Sequence, residues 1–171
     1  LVPPVDGIFV PEEYGGVGLG HVERAIFIEE ISRYSAGLGL ALMTHHMALE
    51  AILVFGSEEQ KQKYLGEMAA GKRFAFSLTE STGGSDAGGA LMSTCIKQED
   101  GTWLLNGSKA WITNIGIADY YVVLAKTDPA AGTRGISAFI MPKDVQGLTV
   151  GRPEDKMGMR GSNTGELSFD N

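Results

Sequence analysis

The sequence has few of the residues that bind metals or form covalent cross-links. Its 171 residues include one cysteine, Cys95, and three histidines. A single cysteine excludes an internal disulfide and is typical of proteins from reducing compartments. The histidines and the cysteine do not occur at metal-ligand spacing, so we expect no metal site.

Basic residues are also scarce. The chain carries 14 Lys and Arg residues against 21 Asp and Glu residues, for a formal net charge of −7. No block of Lys or Arg is present, which argues against nucleic acid as a partner. Leu1 does not begin a recognisable signal peptide. Hydrophobic residues make up 43% of the chain, enough for a buried core.

The first 72 residues have the pattern of a helical domain. Apolar positions recur at helical spacing over residues 22–34, which predicts an amphipathic helix. Residues 38–55 are apolar on nearly every face and predict a second helix. Its length would suit a membrane span, but His45, His46 and Glu50 favour a buried helix of a bundle, so no membrane span is expected. We expect one of the two histidines in the core and the other near the surface.

A third helix is predicted to begin with a capping box at Ser57 and to end at Gly71. From residue 73 the hydrophobic period shortens from about 3.6 residues to about 2, which predicts strands. The strands are expected over residues 74–79, 91–98, 103–105, 108–113, 120–126, 136–141, 148–150 and 166–169. Asp100-Gly101 and Asn106-Gly107 are tight-turn signals, so the strands are predicted to form an antiparallel meander.

These patterns predict the fold class α+β. An incomplete N-terminal helical bundle segment, residues 1–72, is followed by an antiparallel, β-barrel-like middle domain, residues 73–171.

Two segments of the middle domain combine the features of a site for a planar, phosphate-bearing cofactor. The loop over residues 79–86 is rich in Gly, Ser and Thr, so it offers hydroxyls and unobstructed backbone N–H groups that can surround an anion. The strand that ends at Trp111-Ile112-Thr113 offers an aromatic ring, an apolar side chain and a hydroxyl, which suit a flat heteroaromatic ring. On spacing alone, an ordinary polar loop and a core tryptophan explain the pattern equally well.

The order of these residues resembles the flavin-binding signature of the acyl-CoA dehydrogenases. The signature consists of Thr79-Glu80-x-x-x-Gly84-Ser85-Asp86 followed by Asn106-Gly107-x-Lys109-x-Trp111-Ile112-Thr113-Asn114. Further family motifs occur in family order: Pro11-Glu12-Glu13-Tyr14-Gly15-Gly16-x-Gly18, Phe55-Gly56-Ser57-Glu58-Glu59-Gln60-Lys61 and Lys156-Met157-Gly158-Met159-Arg160-Gly161-Ser162. The resemblance covers nearly the whole chain from about Gly7 onward. One departure lies within the signature, where Ser81 replaces the proline usual in the family.

The resemblance implies FAD as cofactor and an acyl-CoA thioester as substrate. The implied cofactor-binding residues are Phe76, Ser77, Leu78, Thr79, Gly84, Ser85, Trp111, Ile112 and Thr113. Among them, Thr79 is expected at the pyrimidine side of the isoalloxazine, Trp111 against the ring and Thr113 at the N5 side. Ser85 is expected between flavin and substrate, and Thr127 near the CoA moiety.

Other roles remain open for several of these residues. Thr127 suits an ordinary structural role as well as it suits substrate binding. Lys156 and Arg160 suit either a phosphate contact or a structural ion pair. Glu80 and Asp86 are expected to order the loop as hydrogen-bond acceptors rather than to act as acid or base.

The activity implied by the resemblance is α,β-dehydrogenation of an acyl-CoA to trans-2-enoyl-CoA, with hydride transfer to flavin N5. This is a step of fatty acid β-oxidation. The family's catalytic glutamate is expected beyond Asn171, in a C-terminal four-helix bundle that this chain lacks. No catalytic residue is therefore assigned, and the chain alone is expected to be inactive.

The resemblance also implies partners and a location. Electron-transfer flavoprotein is the expected electron acceptor, and the expected assembly is a homotetramer. The location would be the cytoplasm of a bacterium or the mitochondrial matrix of a eukaryote. Two alternatives remain open: an acyl-CoA oxidase or flavin hydroxylase of the same fold, or a truncated, non-catalytic chain that binds acyl-CoA or a partner subunit.

Overall fold

The computed structural model describes residues 4–170. Its first part is helical. Helix α1 (His21–Tyr34) and helix α2 (Ala36–Phe55) form a hairpin at Ser35, whose hydroxyl accepts a hydrogen bond from the backbone N–H of Leu38. This cap satisfies one of the free donors at the start of α2.

The third helical stretch begins at the predicted capping box. Ser57 and Gln60 exchange side-chain-to-backbone hydrogen bonds at the start of α3 (Glu58–Gln60). The chain continues through a π-helical turn, Lys61–Leu65, into α4 (Gly66–Ala69). All three helical stretches lie close to the bounds that the sequence predicts.

A curled, mixed sheet follows. Its strands are β1 (Phe74–Ser77), β2 (Thr94–Lys97), β3 (Trp103–Thr113), β4 (Tyr120–Lys126), β5 (Ile136–Pro142), β6 (Leu148–Val150) and β7 (Thr164–Asp170). A short helix, α5 (Ala87–Ala90), lies between β1 and β2, and the 3-10 segment Pro129–Gly135 joins β4 to β5. The spatial order is β1-β4-β2-β3-β7-β6, with β5 paired to β4. The sheet forms half of a barrel, so the predicted helical segment followed by a barrel-like sheet is confirmed.

The sheet is mixed rather than a meander of antiparallel strands. β1 runs parallel to β4, with Phe74 opposite Tyr120, and β2 meets β4 in parallel at Thr94 and Lys126. The connections that carry the chain between these parallel strands contain the glycine-rich loop, α5 and a long hairpin. The prediction failed here because a strand pattern reports which residues are buried but not the direction of the neighbouring strand.

The predicted turn at Asn106-Gly107 is wrong. Residues 103–105 and 108–113 belong to one strand, β3, which pairs with β2 through Asn106 and with β7 through Asn106 and Gly107. Gly107 has φ +137°, and a Cβ at this position would lie 2.8 Å from the Cα of Ser93. The glycine is therefore needed for a close approach between chain segments and not for a reversal. The Asp100-Gly101 turn is present, with Gly101 donating to the Gln98 carbonyl.

Two hydrophobic cores cover the two faces of the sheet. The outer core joins α2 to the sheet and includes Leu49, Ile52, Phe74 and Val122. The inner core fills the curl of the half-barrel; its buried members are Ala75, Ile112, Ile115, Ala118, Tyr121, Val123, Leu167 and Phe169. Alternate residues of β1 thus face opposite cores, as the strand period requires.

Helix α2 packs on β1, and both of its adjacent histidines are buried. His45 is 1% exposed and His46 is 2% exposed, so the expectation of one surface histidine is wrong. His45 faces the sheet, where its Nδ1 accepts from the backbone N–H of Phe74, while His46 packs edge-on against the ring of Phe9. The N-terminal segment covers a second side of the helix, which the sequence pattern did not reveal. By length and mean hydropathy alone, α2 could also cross a membrane.

Candidate functional site: a glycine-rich loop beside a strand bulge

The two signature segments lie side by side. The backbone N–H of Ala110 in β3 donates to the carbonyl oxygen of Thr79 at 2.9 Å. The loop that leaves β1 is thereby held against the strand that carries Trp111. Parallel pairing of β1 with β4 fixes the point at which this loop leaves the sheet.

The loop after Thr79 is compact and internally bonded. Glu80 and Gly83 exchange backbone hydrogen bonds of 3.3 and 3.1 Å, which closes a tight turn. The Thr82 hydroxyl donates to the Ala90 carbonyl at 2.7 Å, and the Asp86 carboxylate caps α5 by accepting from Gly89. A Cβ at Gly83 would collide with the Cβ of Ala90, so only glycine fits there.

A buried ion pair fastens the loop to β3. Lys109 Nζ lies 2.6 Å from Glu80 Oε1 and also donates to the Leu78 carbonyl at 3.3 Å. The carboxylate of Glu80 further accepts from the backbone N–H groups of Met92, at 2.6 Å, and Ser93, at 3.0 Å. The Lys109 side chain is fully buried and that of Glu80 is 5% exposed. Lys109 is a site residue to which the sequence assigned no role, although it stands in the signature itself.

The hydrogen bonds of this pair decide its protonation. Burial raises the pKa of Glu80, but the hydrogen bonds from Lys109 and from Ser93 and Met92 lower it more, and the net pKa is below the usual value. Burial lowers the pKa of Lys109 against the opposing effect of Glu80. Glu80 therefore orders the loop as an ionised acceptor, in agreement with its expected role.

Trp111 is not a core residue. It has φ +60° and lies where the register of β3 against β7 shifts between Lys109 and Ile112. This bulge turns the indole away from the sheet, and the residue is 62% exposed. Its neighbours are buried: Ile112 is 2% exposed in the inner core and Thr113 is 7% exposed. A tryptophan held in the left-handed region costs about 1–2 kcal/mol, so the surrounding strands must impose this conformation.

The loop that is bonded to this strand also offers free donors. Within residues 4–170, the backbone N–H groups of Gly84 and Ser85 donate to no protein acceptor, and both residues are exposed. Unpaired N–H groups in a compact loop form an anion-binding surface. An exposed aromatic ring on a strand to which such a loop is bonded fits a ligand with a planar ring and a phosphate, as FAD has.

The predicted site residues Phe76 and Ser77 lie on opposite faces of β1. Phe76 lines a cavity of about 480 Å³ together with Leu124, Ser137 and Phe55. Ser85 and Trp111 are not among its lining residues. Next to Phe76 in the chain, Ser77 is fully buried, and its hydroxyl has no hydrogen-bond partner within residues 4–170.

Thr127 lies beside the same cavity. Its hydroxyl is bonded to the Gly135 carbonyl at 3.1 Å and to the Ser137 hydroxyl at 2.9 Å. These contacts tie the end of β4 to the start of β5. Both hydrogen bonds are made within the protein, so the geometry gives Thr127 a structural role and leaves substrate contact a prediction.

Asn114, directly after Thr113, joins the site to the helical part. It adopts φ +68°, and its Nδ2 donates to the Ala41 carbonyl of α2 at 2.9 Å. Asparagine tolerates the left-handed region better than most residues, which explains its place here. The position was visible in the signature, but the contact with α2 was not.

The Lys156 motif lies against the same strand end. Lys156 donates to three oxygens of Ser162 and Thr164, and Arg160 lies 3.7 Å from Asp155 in an exposed pair. Thr164 is the cross-strand partner of Thr113. Of the two residues for which a structural ion pair was considered, Arg160 forms one and Lys156 does not.

The half-barrel, the covering helices and the loop bonded beside the bulge together define a two-part fold with a candidate ligand site at the edge of its sheet. The family model "Acyl-CoA dehydrogenase, middle domain" matches residues 75–171, and the N-terminal domain model of the same family matches residues 5–72. The chain belongs to the acyl-CoA dehydrogenase family.

Individual relatives support this family assignment. The chain is 52% identical over 167 residues to an acyl-CoA dehydrogenase of Bacillus subtilis (strain 168), a match that covers 96% of this chain and 44% of that protein. It is similar to a chain in the structure of the electron transferring flavoprotein of Acidaminococcus fermentans, with TM-score 0.90, 46% identity and coverage of 96% and 43%. It is also similar to an acyl-CoA dehydrogenase from Bacillus anthracis complexed with FAD, with TM-score 0.85, 42% identity and coverage of 96% and 28%. The chain thus spans less than half of the length of these proteins.

Proposed function

We propose that this chain forms the FAD- and acyl-CoA-binding part of an acyl-CoA dehydrogenase, which converts an acyl-CoA to trans-2-enoyl-CoA. One observation carries the proposal: the free N–H groups of Gly84 and Ser85 lie on a loop that is bonded, through Thr79 and Ala110, to the strand bearing the exposed Trp111. Family membership supports the reaction class.

The loop supplies the anion-binding half of the proposed site. The amides of Gly84 and Ser85 and the hydroxyl of Ser85 would bind the pyrophosphate of FAD. The Glu80–Lys109 pair keeps these donors in place without competing for the ligand, because each charge is already compensated within the protein. Preorganised donors of this kind cost no reorganisation when the ligand binds.

The strand supplies the ring-binding half. The Trp111 indole would cover the isoalloxazine, fix its plane and exclude water. Thr113 lies two residues further on and is 7% exposed, and we assign its hydroxyl to the edge of the ring that accepts hydride. When bound, FAD would supply the two-electron acceptor that no side chain of the protein provides.

The remaining proposals concern the whole protein. Electron-transfer flavoprotein is the proposed electron acceptor; the similarity to a chain in the structure of such a flavoprotein supports this. We further propose a homotetramer acting in fatty acid β-oxidation. The catalytic base is assigned to no residue of this chain.

FAD binding tests the proposed site. The protein has two tryptophans, so a Trp103→Phe variant leaves Trp111 as the only indole. We expect added FAD to quench the fluorescence of this variant strongly. In the matched Trp111→Phe variant the remaining indole, Trp103, packs edge-on against Phe139 and should be quenched far less.

A second pair of variants tests the loop amides. Ser85→Pro removes a backbone N–H group, whereas Ser85→Ala removes only a hydroxyl. The proposal predicts that Ser85→Pro raises the dissociation constant for FAD at least ten times more than Ser85→Ala. Equal quenching of both tryptophans, or equal affinities of the two Ser85 variants, would argue against this site.

A further inference from the structure

The ammonium group of Lys156 is held by neutral oxygens alone. Nζ donates to the Ser162 carbonyl, the Ser162 hydroxyl and the Thr164 hydroxyl, each at 2.8 Å. Within residues 4–170, no carboxylate lies within 4.0 Å of Nζ, whereas Lys109 and Lys143 both have one at 3.0 Å or less. Lys156 is thus an ordered, half-buried lysine whose charge is uncompensated at close range.

The hydroxyls bound to Lys156 lie next to the proposed ring-binding strand. Ser162 is 2% exposed and Thr164 is 6% exposed. Thr164 is the cross-strand partner of Thr113, and the Cβ atoms of such partners are about 5 Å apart. Asn114, the first residue after β3, donates its backbone N–H to the Asn163 carbonyl at 2.8 Å. The segment that binds the Lys156 ammonium group is therefore fixed to the end of β3.

The packing of the preceding loop adds rigidity. A Cβ at Gly37, at the start of α2, would lie 2.7 Å from the backbone nitrogen of Gly161. The loop of Lys156 thus lies directly on the helix. Arg160 Nε donates to the Lys156 carbonyl at 2.8 Å and holds the backbone of the lysine as well.

This geometry excludes one role for Lys156 and indicates another. Its three protons are already donated, so it cannot also donate to a phosphate. The two hydroxyls that accept from it lie 3.3 Å apart and are bonded to each other, and the Thr164 hydroxyl also donates to the Ser162 carbonyl at 3.4 Å, so the lysine and its partners form one ordered cluster. A cation that is fixed in a partly buried position stabilises negative charge that develops nearby.

We propose that Lys156 is a positioning residue for the redox step: its charge, held by the Ser162 and Thr164 hydroxyls beside Thr113, stabilises the reduced cofactor over the oxidised one. A flavin becomes more negative in the ring on accepting hydride, so a fixed positive charge favours the reduced form. The inference rests on the proposed function, because it needs FAD beside Thr113.

The midpoint potential of the FAD-loaded protein tests this role. Lys156→Gln keeps hydrogen-bond donors but removes the charge. At a fixed reductant ratio, we expect the ratio of reduced to oxidised flavin to fall about tenfold, which corresponds to a midpoint potential about 30 mV more negative for a two-electron couple. Lys156→Arg retains the charge and should recover most of the shift.

The control variant is Lys143→Gln, which removes an equal charge from an exposed pair with Asp119. It should leave the potential unchanged. A purely structural Lys156 would lower the melting temperature of Lys156→Gln without moving the potential, and that result would overturn the proposal. So would an equal shift in Lys143→Gln.

If Lys156→Gln does not fold, Thr164→Val provides a second test, because it removes a hydroxyl that holds the ammonium group beside Thr113 and keeps the side-chain shape. A shift in the same direction supports the proposal, and an unchanged potential overturns it. These outcomes are distinct from failure of the proposed function, in which the unaltered protein would take up no FAD and would have no potential to measure.

Discussion

Ala110 donates its backbone N–H to the carbonyl oxygen of Thr79 at 2.9 Å, and this bond brings together two segments that are separated by thirty residues of sequence. One segment carries free loop amides and the other an exposed indole. Each alone is an ordinary loop or strand, and the pair forms a candidate site for FAD.

Removing the negative charge of the buried ion pair should destabilise the fold strongly. Glu80→Gln leaves Lys109 charged in a fully buried position, which costs about 3–5 kcal/mol. Denaturant unfolding monitored by circular dichroism measures this cost. The matched substitution Glu30→Gln breaks an exposed pair with Arg33 and should cost less than about 1 kcal/mol. Comparable costs for the two variants would mean that the Glu80–Lys109 pair does not hold the loop.

Ser81→Pro should stabilise the protein. Ser81 is the second residue of the turn closed by Glu80 and Gly83, a position where proline is favoured, and its N–H donates to no acceptor within residues 4–170. Restriction of the unfolded chain should add about 0.4–1 kcal/mol to the free energy of unfolding. Ser81→Ala is the control and should be close to neutral. A lower melting temperature for Ser81→Pro would show that the backbone of this turn is incompatible with proline.

Gly107 and Gly101 should respond differently to the same change. Both have positive φ, but a Cβ at Gly107 meets Ser93, whereas a Cβ at Gly101 meets nothing within 4 Å. Gly101→Ala should therefore cost about 1 kcal/mol through backbone strain, and Gly107→Ala should cost at least twice as much because a clash is added. Thermal unfolding of the two variants checks this ranking, which equal costs would contradict.

Acid should weaken the fold through the buried histidines. Burial lowers the pKa of His46 to about 3, and burial also lowers the pKa of His45, whose Nδ1 accepts from Phe74 and cannot do so once protonated. Both histidines have folded-state pKa values below those of the unfolded chain, so the unfolded state binds protons first as the pH falls below about 6.5. His46 alone should remove about 1.4 kcal/mol of stability per pH unit between about pH 6 and 3.

The control for this pH dependence is His46→Leu. It removes a ring whose two nitrogens have no partner within residues 4–170, so it should flatten the acid limb of the stability curve without a large loss at neutral pH. An unchanged acid limb in His46→Leu would assign the acid sensitivity to other groups. Ionised Glu80 contributes in the same direction, because its lowered pKa places its stabilisation at higher pH.

The sequence predicted local features better than their spatial arrangement. Helix bounds and the Ser57 capping box follow from residue patterns within one turn, and they were right. The prediction of a turn at Asn106-Gly107 was wrong because the glycine is needed there for another reason: β3 passes close to Ser93 at this point. The parallel pairing of β1 with β4 depends on contacts between distant residues, which no local pattern contains.

The candidate site shows the same difference between local features and spatial arrangement. The signature identified the loop and Trp111, because those residues follow each other in a fixed order. It could not show that Trp111 occupies a bulge with φ +60° or that Lys109 binds Glu80. The bulge depends on how β3 pairs with β7, and the ion pair depends on how the loop packs against β3.

The visible absorption spectrum of the whole purified protein tests FAD binding and the proposed reaction together. The spectrum would be recorded under anaerobic conditions before and after addition of acyl-CoA. We expect flavin absorption bands that acyl-CoA bleaches, with trans-2-enoyl-CoA as the product. A protein that shows no flavin bands after incubation with FAD, or whose flavin does not respond to acyl-CoAs of any chain length, would contradict this expectation.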